Sequence, residues 1–296
     1  MRVLIVGCGY VGLALGAKLS SGGHEVVGIR RSGSSEAALR KVGIKPLLLD
    51  VTRENAFGES LPEYDWVVNC VSSSKGDADD YGATYLEGTK RLLAWLIERP
   101  LKKFVYTSST SVYGQTDGSL ITESSPTEPA IQTAKILVET EQILLKAARL
   151  DAFPGVILRL AGIYGPERGY WFRRFISGSA EIEDEGQRIL NMIHRDDVVG
   201  AVISALKEAG PGEIYNVADD EPVTQVEFFS WLSEKLGRRL PPVAVKAPSI
   251  DRKRGITNKR ISNLKLKTVL GYQFKYPTFR EGYADEIEKV LRGTKE

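Results

Sequence analysis

The apolar and polar positions of this chain fall into two rhythms. Arg2-Val3-Leu4-Ile5-Val6 is a short apolar run rich in β-branched residues, the mark of a buried strand. From Val11 to Leu19 the apolar residues return at helical spacing, and Gly22-Gly23 ends that pattern. His24 to Ile29 reads as a second strand, Leu47 to Val51 as a third and Asp65 to Val71 as a fourth. Tyr81 to Arg99 predicts one long amphipathic helix, with Leu86, Leu92, Leu93, Leu96 and Ile97 on its apolar face and Pro100 as its stop. Lys103 to Tyr106 is a fifth strand, Ala130 to Ala148 a helix and Val156 to Leu160 a sixth strand. Strands alternating with helices predict an α/β fold, a doubly wound parallel sheet with helices on both faces.

Beyond Pro166 the alternation weakens. Tyr170 to Ile176 is aromatic and basic, and Glu181 to Glu185 is acidic enough to read as a solvated loop. Asp196 to Leu206 is helical and Glu213 to Val217 strand-like. Val223 to Leu236 predicts a helix, Leu240 to Ala247 an edge strand or extended segment, Lys246 to Arg260 a mobile basic loop, and Tyr283 to Leu291 a terminal helix. This change divides the chain into a nucleotide-binding domain (1–166 plus about 192–220) and a small α+β substrate-binding domain (about 167–191 and 221–296).

Between the first strand and first helix stand Gly7, Gly9 and Gly12. Chemistry asks for glycine at each place: a tight turn, backbone approach to a pyrophosphate, and close helix packing. The helix start then offers free N–H groups and a positive dipole end to phosphate. An acidic residue about 20 positions on would hold the ribose 2′-hydroxyl of NAD. Eighteen positions past Gly12 stands Arg30 instead, followed by Arg31 and Ser32. Two charge-assisted hydrogen bonds of about 1.5–3 kcal/mol each favour NADP(H) over NAD(H). Two solvated arginines at a strand end are the plainer alternative.

Composition narrows the rest. The chain has 296 residues, 42% hydrophobic and 26% charged, within the ordinary range of a globular protein. A net charge of +2 gives no argument for nucleic acid or a membrane surface. Cys8, Cys70, His24 and His194 are the only cysteines and histidines, too few and too scattered for a disulfide framework or a metal site. Ile5-Val6-Gly7-Cys8 imitates a lipoprotein processing site, but the apolar run before it is too short for a signal. The expectation is a reduced, cytoplasmic protein with a small-molecule substrate, no nucleic-acid or membrane partner, and a homodimer as an open option.

The motifs also carry a resemblance. The glycine turn, Asp50-Val51, Gly88-Thr89, Phe104 to Gly114 (FVYTSSTSVYG), Leu158 to Pro166 (LRLAGIYGP), Ile193 to Val198 (IHRDDV) and Tyr215 to Val223 (YNVADDEPV) resemble the extended short-chain dehydrogenase/reductases, the NAD(P)-dependent epimerase/dehydratase group. The resemblance covers nearly the whole chain. It implies a Rossmann-type domain with a small C-terminal substrate domain. It implies dinucleotide contacts from Gly7, Gly9, Tyr10, Val11, Gly12, Arg30, Arg31, Ser32, Asp50, Val51, Val71, Ser72, Thr107, Lys135 and Ala161. Ser73, Ser109, Tyr113, Arg168, Arg188 and Arg260 are the expected substrate contacts.

Departures from the group's pattern matter for chemistry. The group's active site has a serine, a Tyr-x-x-x-Lys pair and an asparagine. Ser109, four before Tyr113, matches the serine, and Lys135 matches the lysine. Ile131 stands where the tyrosine belongs and Tyr85 where the asparagine belongs, as in the group's tetrad-poor, atypical branch. A positioned general acid–base group is worth about 10²–10⁴ in rate. Tyr113 is the first substitute expected, ahead of Tyr85, Tyr164 and His194, although loop tyrosines at its position also occur without catalysis. Ser109, Lys135 and Tyr113 are thus the catalytic candidates. Two functions follow: an NADP(H)-dependent oxidoreductase or epimerase/dehydratase-like enzyme on a small carbonyl or carbinol, a sugar nucleotide included, or a catalytically inert NADP(H)-binding sensor or scaffold.

Overall fold

The computed structural model describes residues 1–33, 36–59, 61–244 and 257–293. Its centre is a seven-stranded sheet of β1 (Arg2–Val6), β2 (Glu25–Arg30), β3 (Ile44–Leu48), β4 (Trp66–Asn69), β5 (Lys103–Ser109), β7 (Gly155–Leu160) and β11 (Ile214–Val217). The order is β11-β7-β5-β4-β1-β2-β3, and every pairing is parallel. The order reverses beside β1, so a crevice opens between the carboxyl ends of β1 and β4, where ligands of such sheets bind.

Both faces are covered, which explains why the strands read as continuous apolar runs. Val3 and Ile5 turn to one layer with Leu15 and Leu19 of α1 (Tyr10–Ser21) and Val198, Val202 and Ala205 of α7 (Arg195–Glu208). Leu4 and Val6 turn to the other, with Leu92 and Trp95 of α4 (Gly88–Ile97) and Leu144 and Ala147 of α5 (Gln132–Leu150). β3, which follows α2 (Glu36–Lys41), forms one edge and carries Pro46 opposite Gly28.

A third core is rich in aromatic side chains. Phe172 and Phe175 of α6 (Tyr170–Ile176), Phe228, Phe229 and Trp231 of α8 (Gln225–Leu236), Phe279 and Tyr283 pack around Tyr164. Short pairs join this part to the sheet: β8 (Gly162–Tyr164) with β10 (Met192–His194), β9 (Ile189–Leu190) with β12 (Val223–Thr224), and β6 (Leu120–Ile121) with β13 (Arg260–Ile261). Asp197, in the first turn of α7, accepts from the Tyr272 hydroxyl and from the N–H groups of Lys275 and Tyr276, fixing the chain's last third to the sheet.

Several elements differ from expectation. The third strand ends at Leu48, before Asp50. Tyr81 to Arg99 is not one α-helix: α3 (Ala78–Tyr81) runs into a π-helical stretch at Gly82–Glu87 before α4 begins. Glu181 to Glu185 is no solvated loop throughout, since Ile182 and Glu183 are buried. Ile182 bridges Val243, and the Glu183 N–H donates to Gln225. Most of the expected basic loop, residues 246–256, lies outside the described residues.

Candidate functional site

Gly7 leaves β1 with φ 86°, in the left-handed region that favours glycine. A Cβ there would lie 2.6 Å from the backbone of Val71, and one on Gly12 would lie 2.8 Å from the Gly7 carbonyl oxygen. Packing within the chain therefore demands both glycines. Gly9 is different. Its nearest neighbour, Arg30 NH1, is 3.7 Å from an added Cβ, so the fold itself does not require glycine here. Gly9 caps α1 without any side-chain acceptor, and the first N–H groups of a helix have no partner inside it. A bare, uncrowded helix start in the crevice is a cradle that a side chain would fill and an anionic group fits.

Arg30 ends β2 and donates to the Cys8 carbonyl at 2.9 Å, which braces the turn. Arg31 and Ser32 follow, both exposed. Asp50 accepts from the Thr52 N–H at 3.0 Å and its hydroxyl at 2.8 Å. Burial works against its charge, but those bonds and the nearby Arg31 outweigh it and hold the carboxyl below its usual range. Val51 lies against Gly88, where an added Cβ would come within 3.1 Å of it.

The loop after β4 is tied down from both sides. Buried Asn69 donates to Thr89 at 3.0 Å, and Thr107 donates to the Asn69 carbonyl at 3.3 Å. Val71 follows as the wall against Gly7. Ser72 is exposed. Ser73 was expected to face substrate, but its hydroxyl is spent on the fold: it donates to Asp80 at 2.6 Å and accepts from the Gly76 N–H. Asp80 also takes the N–H groups of Ser74 and Lys75, both at 2.7 Å. Burial opposes its charge, yet these donors win and hold the carboxyl at about 2. Sequence reading missed Asp80. Its signal was an acid three past another, with Asp77 capping α3 and leaving Asp80 to turn back to the loop.

Around β5 two expectations are corrected. Tyr113 does not swing over a ligand: it is fully buried, its hydroxyl donates to Asn216 at 2.8 Å and accepts from Arg159 at 2.7 Å, and the Arg159 guanidinium lies over its ring. Burial raises its pKa, with Arg159 opposing. Lys135 lies on the exposed face of α5, in a shallow groove with Thr127, Glu128, Glu139 and Gln142. The helix phase is set instead by Glu141, which is buried, accepts from Ser108 at 2.5 Å and pairs with Arg159 at 2.7 Å. Leu137 and Thr133 stand one and two turns before Glu141 on the same line. In the first turn of α5, Thr133 and not Lys135 is the polar residue on the inward side. Ile131, the cap residue of α5, has no side chain that could carry a proton. Ser109 remains at the end of β5, half-buried, its Oγ accepting from the Ser111 N–H at 3.2 Å.

The remaining candidates gather where β7 ends. Ala161 is buried and donates to Val217. Val11 is half-buried in the first turn of α1. The Tyr10 hydroxyl donates to the Pro166 carbonyl at 3.0 Å, and Arg168 and Arg195 both lie over its ring. Gly165 permits this closeness, since a Cβ there would lie 3.1 Å from the Tyr10 hydroxyl. Burial drives His194 down to about 4, so it is neutral near pH 7 and caps α7 through Nδ1. The Tyr164 hydroxyl is engaged with Thr278 and the Tyr85 hydroxyl with the Ser73 N–H. Arg188 is half-buried; Arg260 is exposed and donates to the Gly118 carbonyl at 2.7 Å. Among the described residues no cluster of three or more His, Cys, Asp or Glu could hold a metal, and no helix is long and apolar enough to cross a membrane.

Residues 3–218, the glycine turn through the end of the sheet, match the NAD dependent epimerase/dehydratase family. This chain belongs to that family. Among individual relatives, the protein YeeZ of Escherichia coli strain K12 is 29% identical over 283 residues, covering 93% of this chain and 96% of that protein. A functionally unknown conserved protein from Silicibacter pomeroyi superposes with a TM-score of 0.79 at 27% identity, over 100% of this chain and 99% of that one. The dTDP-glucose 4,6-dehydratase of Streptomyces venezuelae, solved with NAD bound, gives a TM-score of 0.84 at 23% identity, over 100% and 98%. Membership makes this chain an oxidoreductase-type protein of a nicotinamide-dinucleotide-dependent family.

Proposed function

We propose that this protein is an NADP(H)-dependent oxidoreductase or epimerase/dehydratase-type enzyme that acts on a small carbonyl or carbinol substrate. Residues 1–166 and about 192–220 hold the dinucleotide in this reading; about 167–191 and 221–296 supply the substrate side. The observation that carries the cofactor preference is Arg30: a guanidinium, not a carboxylate, stands 3.7 Å from the Cβ position of Gly9. A carboxylate there would repel a 2′-phosphate, whereas exposed Arg31 and Ser32 extend the same strand end toward one.

When bound, the dinucleotide supplies or takes the hydride. The chain's part is to orient and polarise. The start of α1 binds the pyrophosphate, and Val51, Val71 and Ala161 wall the crevice. Ser109 donates to the substrate oxygen. With no tyrosine at the start of α5 and the Tyr113 hydroxyl turned to the core, the proton for that oxygen comes through solvent, which predicts slow turnover. Family membership favours this enzyme over an inert cofactor-binding protein.

Calorimetric titration with NADPH and NADH tests the preference. We expect NADPH to bind at least tenfold tighter and Arg31→Ala to remove most of the difference, about 1.5–3 kcal/mol. Equal affinities would overturn it. Steady NADPH oxidation across a panel of ketones and keto-sugars tests the activity.

A further inference from the structure

Among the described residues Lys259 is the one lysine counted with the buried polar groups, at 4% exposure. It precedes β13, and two hydrogen bonds seat it. Its Nζ donates to the Tyr113 carbonyl at 2.6 Å, and its own carbonyl accepts from Asn191 Nδ2 at 2.9 Å. Tyr113 ends the turn that begins at Ser109, at the carboxyl end of β5. The Asn191 carbonyl accepts from the Gly162 N–H, just past the carboxyl end of β7. Lys259 is thus held where the loops leaving two central strands meet the second part of the chain.

An ammonium has three N–H donors, and the Tyr113 carbonyl uses one. No carboxylate among the described residues pairs with Lys259; the charge that acts on it is Arg188, of the same sign. Burial first, and Arg188 second, push it down to about 8, so it is still cationic at neutral pH. A buried cation without a counter-ion is costly. Holding the Tyr113 carbonyl does not explain it, because a glutamine amide would donate the same bond without the charge. A bound anion would explain it.

We propose that the Lys259 ammonium, with the Arg188 guanidinium adding to the field, receives an oxyanion of the substrate, a carboxylate or a phosphate, beside the carboxyl ends of β5 and β7. This deepens the reading above and rests on its placement of substrate at those strand ends. It adds a substrate class: a carbonyl or carbinol compound that also carries an acidic group.

The test uses the full chain saturated with NADP⁺, so that the glycine turn is blocked, titrated at pH 7 with inorganic phosphate and separately with acetate. One of the two binds saturably. Lys259→Met weakens it roughly tenfold or more, as loss of a charged hydrogen bond does, while Lys259→Arg largely keeps it. At pH 9.5 wild-type binding weakens as well. Wild type binding neither anion, or Lys259→Met binding like wild type, overturns the proposal. Unchanged NADP⁺ affinity in Lys259→Met separates this outcome from a failure of the cofactor reading. Should Lys259→Met not fold, the ¹³Cε resonance of Lys259 in the wild type, assigned with Lys259→Arg, decides: its titration midpoint rises on saturation with the anion, and an unmoved midpoint overturns the idea.

Discussion

Ser109 keeps one hydrogen-bonding direction unspent: its oxygen accepts from Ser111 while its O–H is left to donate. That is the group a carbonyl oxygen at the end of β5 would meet. Ser109→Ala should therefore lower kcat by about ten- to a hundredfold and leave NADPH affinity within about twofold, read by steady-state rates and calorimetry. An unchanged kcat would remove Ser109 from the site. The glycines were readable at this scale because their reasons are local: Gly7 needs its φ and Gly12 needs the room beside the Gly7 carbonyl. Tyr113 and Lys135 were not readable from spacing alone. The partner that turns Tyr113 inward, Asn216, is 103 positions away, and the phase of α5 follows from Glu141 seeking Arg159, 18 positions on.

Among the elements, the 72–76 loop shows how one side chain fixes a backbone path. Asp80 gathers Ser73, Ser74 and Lys75, and its low pKa gives the sign of the effect. A carboxyl depressed in the folded state lends stability above its ordinary pKa and loses it as pH falls toward about 2. Asp80→Asn should loosen this loop first. Amide hydrogen exchange at Ser74 and Lys75 should quicken at least tenfold while β4 itself is unaffected; equal exchange would show that the loop holds without the charge. The neighbouring π-helical stretch escaped the periodicity reading, since only Leu86 of the apolar residues that drew one long helix lies within it, while Leu92, Leu93, Leu96 and Ile97 lie after it. The acidic 181–185 stretch misled for a different reason. Charge density marks it as wet, but buried Ile182, through its bridge to Val243, and the Glu183 N–H, through Gln225, anchor it.

For the whole molecule, alternation of strand and helix was enough to foresee the parallel sheet, because both of its faces are covered and its strands are mostly apolar runs. It could not foresee the buried polar line that crosses it. Glu141 on α5, Ser108 on β5, Arg159 on β7 and Asn216 on β11 join three strands and a helix, with Tyr113 between them. Removing one partner strands a buried charge, so Glu141→Leu should cost about 3–5 kcal/mol in urea unfolding. Glu141→Leu with Arg159→Met should cost less than either change alone; a fully additive loss would show that the ion pair is not coupled. At the sheet's far side, Pro46 has a further effect. The Leu49 N–H reaches inward to Arg30, so alternation places the nitrogen of Pro46 on the open side of β3. A strand from another molecule laid along that margin meets a missing donor midway, and the sheet is closed there to growth into fibres or strand-swapped aggregates.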